Sequence, residues 1–287
     1  MSAKVVRSLI VISDTHFGDR LGLFPDTPVA LDDGGTYQAS EIQRKVWGLW
    51  REFWDEWVPE VTRGEPWDFV HNGDVIDGSH HGATTQISHN MEDQIRIAAI
   101  SLGPEVARCK ASGGTYYHIR GTEAHVGKSG VYEEQLAQRL GAKPNDQGQY
   151  ARWDLWKRVG RPTKRVRAPL VHLMHHVGTT GSAAHEASAI NAELTAEYVE
   201  AARWNREPPD YVVRSHRHRS IAVEMDSAKG YAASIVTPAW QLKTPYVYKI
   251  PGARLSEPQF GGILIRQGEE EYYHRRKVWT IDRSPED

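Results

Sequence analysis

The chain has 287 residues, 39% of them hydrophobic, and a formal net charge of -2. This length and apolar content suffice for a sizeable core, and we expect a single domain over residues 1–287. A charge so close to zero gives no general attraction to nucleic acid or acidic membranes, so partners must be inferred from local sites. The single cysteine, Cys109, excludes an internal disulfide and any cluster held by several thiolates.

The N-terminal segment has no recognisable targeting signal. Residues 9–12 are apolar, but the run is too short for a signal-peptide core and Asp14 follows closely. No stretch approaches membrane-spanning length. We therefore expect a cytoplasmic protein without a membrane span.

The first third of the chain begins with a strand and a loop. Residues 9–12 predict a buried strand, and residues 19–38, rich in proline and glycine, predict a surface loop that could cover a site. Ser40 and Gln43 have the spacing of a capping box at the start of a helix. That helix has tryptophans on one face, which we interpret as core packing rather than as a platform for bases: Trp47, Trp50, Trp54 and Trp57.

Strand-like and helical patterns then alternate. We expect strands at residues 67–71, 115–119, 170–174, 211–214, 221–225, 231–236, 262–265 and 271–280, and helices at about 86–112 and 185–204. The early alternation of strand and helix indicates parallel strands with crossover helices, and the late run of strands indicates antiparallel closure. The predicted fold class is α/β, a layered sandwich.

Five polar clusters come directly after apolar runs, where a strand would give way to a loop. They supply carboxylate oxygens and imidazole nitrogens, enough to hold two divalent cations. In chain order they are Asp14-Thr15-His16, Gly73-Asp74-Val75-Ile76-Asp77, Gly121-Thr122-Glu123-Ala124-His125, His175-His176 and Ser215-His216-Arg217-His218.

Each of the first two clusters also has an ordinary interpretation. Asp14 and His16 mix a hard oxygen with a borderline nitrogen, which suits manganese, iron, zinc or nickel better than calcium, but alone they could form a helix cap or a turn. Gly73 permits a tight turn, so that Asp74 could bridge two metals and Asp77 could orient a neighbouring ligand. A simple turn at this position would leave the other clusters unexplained.

The last two clusters supply histidines. If residues 215–218 are extended, His216 and His218 share one face and can reach adjacent metals while Arg217 points away. In an extended segment His175 and His176 would point in opposite directions, so only one should be a ligand, and we choose His175.

This order of residues resembles the calcineurin-like metallophosphoesterase family, whose usual pattern is Asp-x-His, Gly-Asp-x-x-Asp, Gly-Asn-His-Asp/Glu, His and Gly-His-x-His. The resemblance runs from Asp14 to His218 and implies an αββα sandwich of two mixed sheets flanked by helices. It also implies two divalent metal ions, for which we expect manganese ahead of iron, zinc or nickel. One metal would take Asp14, His16, Asp74 and His218, and the other would take Asp74, His175, His216 and a ligand from the third cluster.

The third cluster departs from the family pattern and is similar to a variant found in prokaryotic and phage enzymes. Thr122 stands at the usual asparagine, so we expect Glu123 to bind the second metal. His125 could still reach the position of the family's catalytic histidine, although a degenerate motif and a crippled site would be the alternative. In the last cluster Ser215 replaces the usual glycine, and we expect little effect.

The resemblance implies hydrolysis of phosphomonoesters or phosphodiesters by a hydroxide shared between two metals, with His125 as proton donor and Asp77 in support. A nucleotide is one candidate substrate. His80, His81 and residues 178–182 are candidates for substrate contacts. Two alternatives remain: a metal-binding scaffold without catalysis, and a nuclease that uses the basic stretch Arg158, Arg161, Lys164, Arg165 and Arg167, which could equally be a solvated hairpin tip.

Overall fold

The computed structural model describes residues 5–80, 82–178, 183–227, 230–250, 254 and 256–281. The strands are β1 (Ser8–Ile12), β2 (Val29–Ala30), β3 (Thr36–Tyr37), β4 (Trp67–Asn72), β5 (Tyr116–Ile119), β6 (Ala151–Arg152), β7 (Asp154–Arg158), β8 (Leu170–Met174), β9 (Tyr211–Arg214), β10 (Ile221–Ser227), β11 (Gly230–Val236), β12 (Phe260–Gln267) and β13 (Tyr272–Trp279). The α-helices are α1 (Glu41–Glu52), α2 (Val58–Thr62), α3 (Met91–Ser112), α4 (Glu123–Val126), α5 (Val131–Arg139) and α6 (Glu186–Arg203).

Most of the strands form two mixed sheets. The first sheet has the strand order β13-β12-β1-β4-β5-β6, in which β1, β4, β5 and β6 are parallel and β12 and β13 close the other edge in antiparallel fashion. The second sheet has the order β10-β11-β9-β8-β7, with a parallel centre and antiparallel edges. Strands β2 and β3 pair separately.

Strand β1 shows why the two sheets pack face to face. Its side chains alternate between two cores, because successive residues of a strand point to opposite faces. Leu9 and Val11 join the core between the sheets, whereas Ile10 joins the core beneath the helices. Helices α1, α3 and α5 cover the first sheet, and α6 covers the second through Leu194. The predicted fold class, an αββα sandwich, is thus confirmed.

The first long helix begins at the expected capping box. Ser40 Oγ accepts a hydrogen bond from Gln43 N at 3.3 Å, and Ser40 N donates to Gln43 Oε1 at 3.1 Å. A π-helical turn (Phe53–Trp57) joins α1 to α2, where Pro59 has no N–H to donate. Trp50, Trp54 and Trp57 are buried in the core and Trp47 packs against it, as expected of a core stripe.

Several short elements differ from the sequence expectations. Helix α3 begins at Met91 rather than near residue 86, because the Asn90 side chain caps it by accepting from Glu92 N at 3.0 Å. Helices α4 and α5 and strands β6 and β7 were not expected. The basic stretch of residues 158–167 includes the tip of the β7–β8 hairpin. A hairpin tip was one of the two interpretations of this stretch, and a nucleic-acid contact was the other. His81, residues 179–182 and the acidic tail at 284–287 lie outside the described residues.

The parallel strands set the position of the polar clusters. β1, β4 and β5 run in the same direction in the first sheet, as β8 and β9 do in the second, so their carboxyl ends emerge at one edge of each sheet. Among the described helices, none is long and apolar enough to cross a membrane.

Candidate metal centre

All the predicted ligands except Glu123 lie close together where the two sheets meet. Groups of three whose ligand atoms lie within 4.8 Å of one another include Asp14, His16 and His218; His16, Asp74 and His125; and Asp74, His175 and His216. Asp74 thus belongs to two of these groups. One contains His16 and His125, and the other contains His175 and His216.

The backbone at the predicted ligands is unusual. Eight non-glycine residues of the described chain have a left-handed backbone, and five of them are predicted ligands: Asp14, His16, Asp74, His216 and His218. Asp and His tolerate this region better than most residues, but an outlier typically costs about 1–3 kcal/mol, so their concentration here marks a functional site. His216 and His218 do not lie on an extended segment, contrary to the expectation. They reach the site because each has a positive φ, of 68° and 54°.

Two glycines allow the chain to approach the central carboxylate closely. A Cβ at Gly121 would lie 2.1 Å from Asp74 Oδ1, so no side chain fits there. At Gly73 φ is +88° and a Cβ would lie 2.4 Å from His175 Nδ1. Both glycines therefore serve close packing around Asp74.

The first group of ligands surrounds Asp14. His218 Nε2 lies 3.3 Å from Asp14 Oδ1, and His16 Nε2 lies 3.2 Å from His218 Nε2. On its other side, His16 Nδ1 lies 3.3 Å from Asp77 Oδ1, which can accept its proton and leave Nε2 free to bind a cation. Asp77 also accepts from Gln86 Nε2 at 2.6 Å and is therefore fixed in turn.

The second group surrounds Asp74. His175 Nδ1 donates to Asn72 O at 2.7 Å, which directs Nε2 toward Asp74 Oδ2, 3.0 Å away. His216 Nδ1 lies 3.8 Å from the same oxygen. Of the two adjacent histidines, His175 is buried in the cluster, whereas His176 is exposed.

The electrostatics of the metal-free site are those of buried carboxylates held by histidines. Burial by itself would raise the pKa of Asp74, but His175 and His125 outweigh it and hold the pKa well below its ordinary value. Likewise, burial opposes the protonation of His175, yet Asp74 and Asp14 raise its pKa to about 10. His175 thus holds a proton beside the negative charges of Asp74 and Asp14, and the same charges would favour a cation.

The structure does not bring Glu123 to this cluster, which corrects the expectation for the third motif. The Glu123 side chain is exposed, and its Oε1 accepts from Ser129 N at 3.3 Å, at the start of the following turn. Thr122 lies at the cluster instead: its N donates to Asp74 Oδ1 at 2.6 Å, and its Oγ1 lies 3.2 Å from both Asp74 Oδ2 and His216 Nδ1. Glu123 opens helix α4, which turns its side chain away from the sheet edge, while the backbone before the helix brings Thr122 to Asp74.

His125 lies beside His16 and Asp77, within the group that also contains Asp74. Its Nδ1 donates to Asp77 O at 2.7 Å, and its ring packs against His16 and His80 with centroids 4.6 and 4.2 Å apart. Burial lowers the pKa of His125 to about 4. At neutral pH the ring is therefore uncharged in the free protein, and its Nε2 is an acceptor.

Glu133 was not expected to matter and is the main supporting residue. This fully buried carboxylate accepts from Val75 N at 2.9 Å and from Gly121 N at 2.6 Å. It thereby ties the loop that carries Asp74 to the loop that carries Thr122. The sequence carries no signal for this role, because Glu133 resembles any polar residue of a helix.

Two further polar contacts connect the strand ends. Ser215 has a structural role beyond its small size, since its Oγ accepts from Asn72 Nδ2 at 2.6 Å and lies 2.7 Å from Thr237 Oγ1. Asp19 is buried and accepts from Gln241 Nε2 at 2.7 Å, and that amide lies 3.4 Å from Asp77. Burial, together with the Asp77 charge, raises the pKa of Asp19 to about 6.

No family profile matches the sequence, and no curated protein matches it. Similar solved structures include a Thermotoga maritima protein determined by solution NMR, at 11% identity over 96% of this chain and 100% of that chain, with a TM-score of 0.37. Vacuolar protein sorting 29 from Cryptosporidium parvum has 9% identity over 96% and 100% of the two chains, with a TM-score of 0.34. Thermus thermophilus sulfate thiohydrolase SoxB, in complex with glycerol, has 10% identity over 95% of this chain and 56% of its own, with a TM-score of 0.37. The assignment of the centre therefore depends on the residues and distances given above.

Proposed function

We propose that this protein is a metal-dependent phosphoesterase of the calcineurin-like type, which hydrolyses phosphomonoesters or phosphodiesters at a two-metal site. The observation that carries the proposal is the position of Asp74. Its carboxylate lies within 4.8 Å of a ring nitrogen of His16 in one group, and of ring nitrogens of His175 and His216 in another. A carboxylate between two sets of nitrogen donors is the arrangement that a bridging ligand needs.

The side chains fit divalent cations. Asp14 Oδ1 and His175 Nε2 are buried and make no well-aligned hydrogen bond among the described residues, although His218 lies 3.3 Å from the first and Asp74 lies 3.0 Å from the second. A cation between such groups would satisfy both. One cation would be held by Asp14, His16, Asp74 and His218. The other would be held by Asp74, His175 and His216, with the Thr122 hydroxyl in place of the expected Glu123. Mixed carboxylate and imidazole donors suit manganese, iron, zinc or nickel, and manganese is our first choice.

When bound, two such ions would lower the pKa of a water and neutralise charge on the phosphoryl oxygens. The other roles belong to the chain. Asp77 holds His16 in the tautomer that presents Nε2, and the carbonyl of Asp77 holds the Nδ1 proton of His125. Because burial lowers the pKa of His125 to about 4, a bound phosphoester anion must raise it before Nε2 can donate a proton to a leaving oxygen.

The nuclease alternative depended on the basic stretch, which has the wrong location for that role. His175 follows the carboxyl end of β8, whereas the tip of the β7–β8 hairpin precedes its amino end. At about 3.3 Å per residue, the length of β8 separates the two by about 17 Å. In addition, Arg158 pairs with Glu207, and Arg167 pairs with Asp210 at 2.8 Å. These contacts favour the solvated hairpin tip.

The test is an assay of metal-free protein reconstituted with Mn²⁺, using p-nitrophenyl phosphate and bis-p-nitrophenyl phosphate. We expect turnover of at least one ester, its loss in Asp74→Asn, and its retention in the matched control Asp154→Asn, whose carboxylate is exposed on β7. The preferred ester decides between phosphatase and phosphodiesterase. Absence of turnover with metal bound would favour the scaffold alternative and overturn the proposal.

A further inference from the structure

A cavity of about 480 Å³ opens directly on the candidate metal centre. His16, Asp74, His216 and His218 line one side of it. A volume of several hundred Å³ is typical of small-molecule sites and exceeds what a phosphoryl group alone would fill. The rest of the cavity is therefore available for the organic part of an ester.

The side of the cavity away from the metal ligands has apolar side chains interspersed with polar ones. Leu242, Val247 and Ile250 line it, in the segment that follows β11, and Val177 and Ile221 extend it toward the second sheet. The three residues of the 242–250 segment are only partly buried, so each keeps apolar surface that a ligand could cover. None of the described residues of the 19–38 loop lines this cavity, although the sequence indicated that this loop could cover a site.

Most of the charged side chains along the cavity contact the protein itself. Arg219 pairs with Glu186 at 2.7 Å, and Arg217 donates from Nη1 to the carbonyl of Glu186 at 3.2 Å, whereas its Nη2 has no hydrogen-bond partner among the described residues. Lys243 lies over the ring of Tyr248, 4.4 Å from its centroid. The cavity thus offers apolar contact area more readily than charges for a second phosphate.

We propose that this cavity binds the alcohol group of the substrate, and that this group is a large apolar one. The assignment rests on the proposed function, because a phosphoryl group at the metal centre would direct its ester group along the same cavity. Leu242, Val247 and Ile250 would then determine specificity by removing that group from water. A small ester such as a methyl ester would leave this side unfilled.

The kinetic test compares 1-naphthyl and methyl esters of whichever class, monoester or diester, the protein hydrolyses. Each ester is compared with itself across variants, so that differences in leaving-group reactivity cancel. Because missing methylenes in an apolar pocket change specificity about 10- to 200-fold, Leu242→Ala should lower kcat/KM for the naphthyl ester at least about tenfold more than for the methyl ester. Val247→Trp, which fills the cavity, should have the same selective effect. It tests the inference independently if Leu242→Ala fails to fold.

The control variant is Ile100→Ala, which shortens an apolar side chain that is 43% exposed on α3, outside the cavity. It should leave kcat/KM for both esters at the wild-type value. Equal losses for the naphthyl and methyl esters in Leu242→Ala and Val247→Trp would overturn the inference while leaving the phosphoesterase proposal intact.

A second readout needs neither metal nor turnover. Calorimetric titration of the metal-free protein with 1-naphthol should show binding with a negative heat-capacity change, weakened in Leu242→Ala and abolished in Val247→Trp. Absence of naphthol binding would overturn the inference. Naphthol binding combined with failure to hydrolyse any ester would instead count against the proposed function, and the assignment of a substrate would fall with it.

Discussion

At the scale of single residues, the centre combines strained ligands with fixed supporting groups. Asp14, Asp74 and His218 adopt a backbone conformation that costs energy, and each is held by hydrogen bonds or close packing. Such strain persists only where neighbouring groups hold the backbone in place. Here Gly73 and Gly121 allow close packing, and Glu133 anchors the two loops. The consequence is a site whose geometry does not depend on a bound cation.

His125→Ala should separate metal binding from turnover. The variant removes a group that contacts the site but has its Nδ1 committed to the carbonyl of Asp77, so the metal content should be retained. Loss of a general acid typically costs about 10²–10⁴-fold in rate, and we expect kcat to fall in that range. Metal analysis by mass spectrometry and initial rates measure the two effects. The control is His185→Ala, an exposed histidine at the start of α6; unchanged turnover in His125→Ala would remove His125 from the mechanism.

Glu133→Gln should weaken metal binding without contact with any metal. An amide can accept from only one of the two backbone N–H groups and turns its own NH₂ toward the other, so the loops of Asp74 and Thr122 lose their common anchor. We expect a loss of about 1.5–3 kcal/mol of stability and a 10- to 100-fold weaker Kd for Mn²⁺.

Denaturation in urea and titration with Mn²⁺ measure the two effects of Glu133→Gln. The matched control is Glu134→Gln, since Glu134 also accepts from two backbone N–H groups, those of Tyr150 and Ala151, but away from the ligands. Equal changes of Kd in the two variants would show that Glu133 acts on stability alone.

At the scale of elements, the first helix carries its own start signal. Ser40→Ala removes the side chain that accepts from Gln43 N, which should cost about 0.5–2 kcal/mol of the free energy of unfolding. Gln43→Ala should cost more, because the Gln43 amide also donates to the carbonyls of Asp19 and Gly22. Urea denaturation checks the order of the two losses, with the exposed Ser188→Ala as control. A larger loss in Ser40→Ala than in Gln43→Ala would contradict this reading of the contacts.

Elements with strong periodicity or continuous apolar runs were predictable, and short ones were not. Strands β8 and β9 have the predicted bounds, because both faces of a central strand are largely buried and its sequence is mostly apolar. Strands β6 and β7 were missed since they lie at sheet edges, where β7 reads as the charged sequence of residues 154–158. Helix α4 has four residues, too few for a helical period, and its short turn is what redirects Glu123.

At the scale of the whole molecule, stability should depend on pH and on metal together. Folding raises the pKa of His175 from 6.5 to about 10, so the folded metal-free protein holds a proton that the unfolded chain releases. The stabilisation is complete below pH 6.5 and is lost as the pH rises to about 10. Because a cation would take over the role of that proton beside Asp74, Mn²⁺ should remove the decline.

Calorimetric Tm values between pH 6 and pH 10, with chelator and with Mn²⁺, test this dependence. In metal-free His175→Asn, the Tm at pH 6 should be lower than in the wild-type protein. The fall of Tm with rising pH that is due to His175 should be absent. The same decline with and without Mn²⁺ in the wild-type protein would contradict the prediction that the cation replaces the proton.

The fold class and the polar clusters were predictable from the sequence alone. Both follow from local properties, namely apolar runs that must be buried and polar groups that end them. How the third cluster meets the others was visible only in the folded chain, where the turn of α4 directs Thr122 and not Glu123 to Asp74. The folded chain also shows that Glu133 joins two loops and that a cavity with apolar side chains adjoins the centre. Contacts between segments so far apart in the chain depend on how the two sheets pack, which no local pattern encodes.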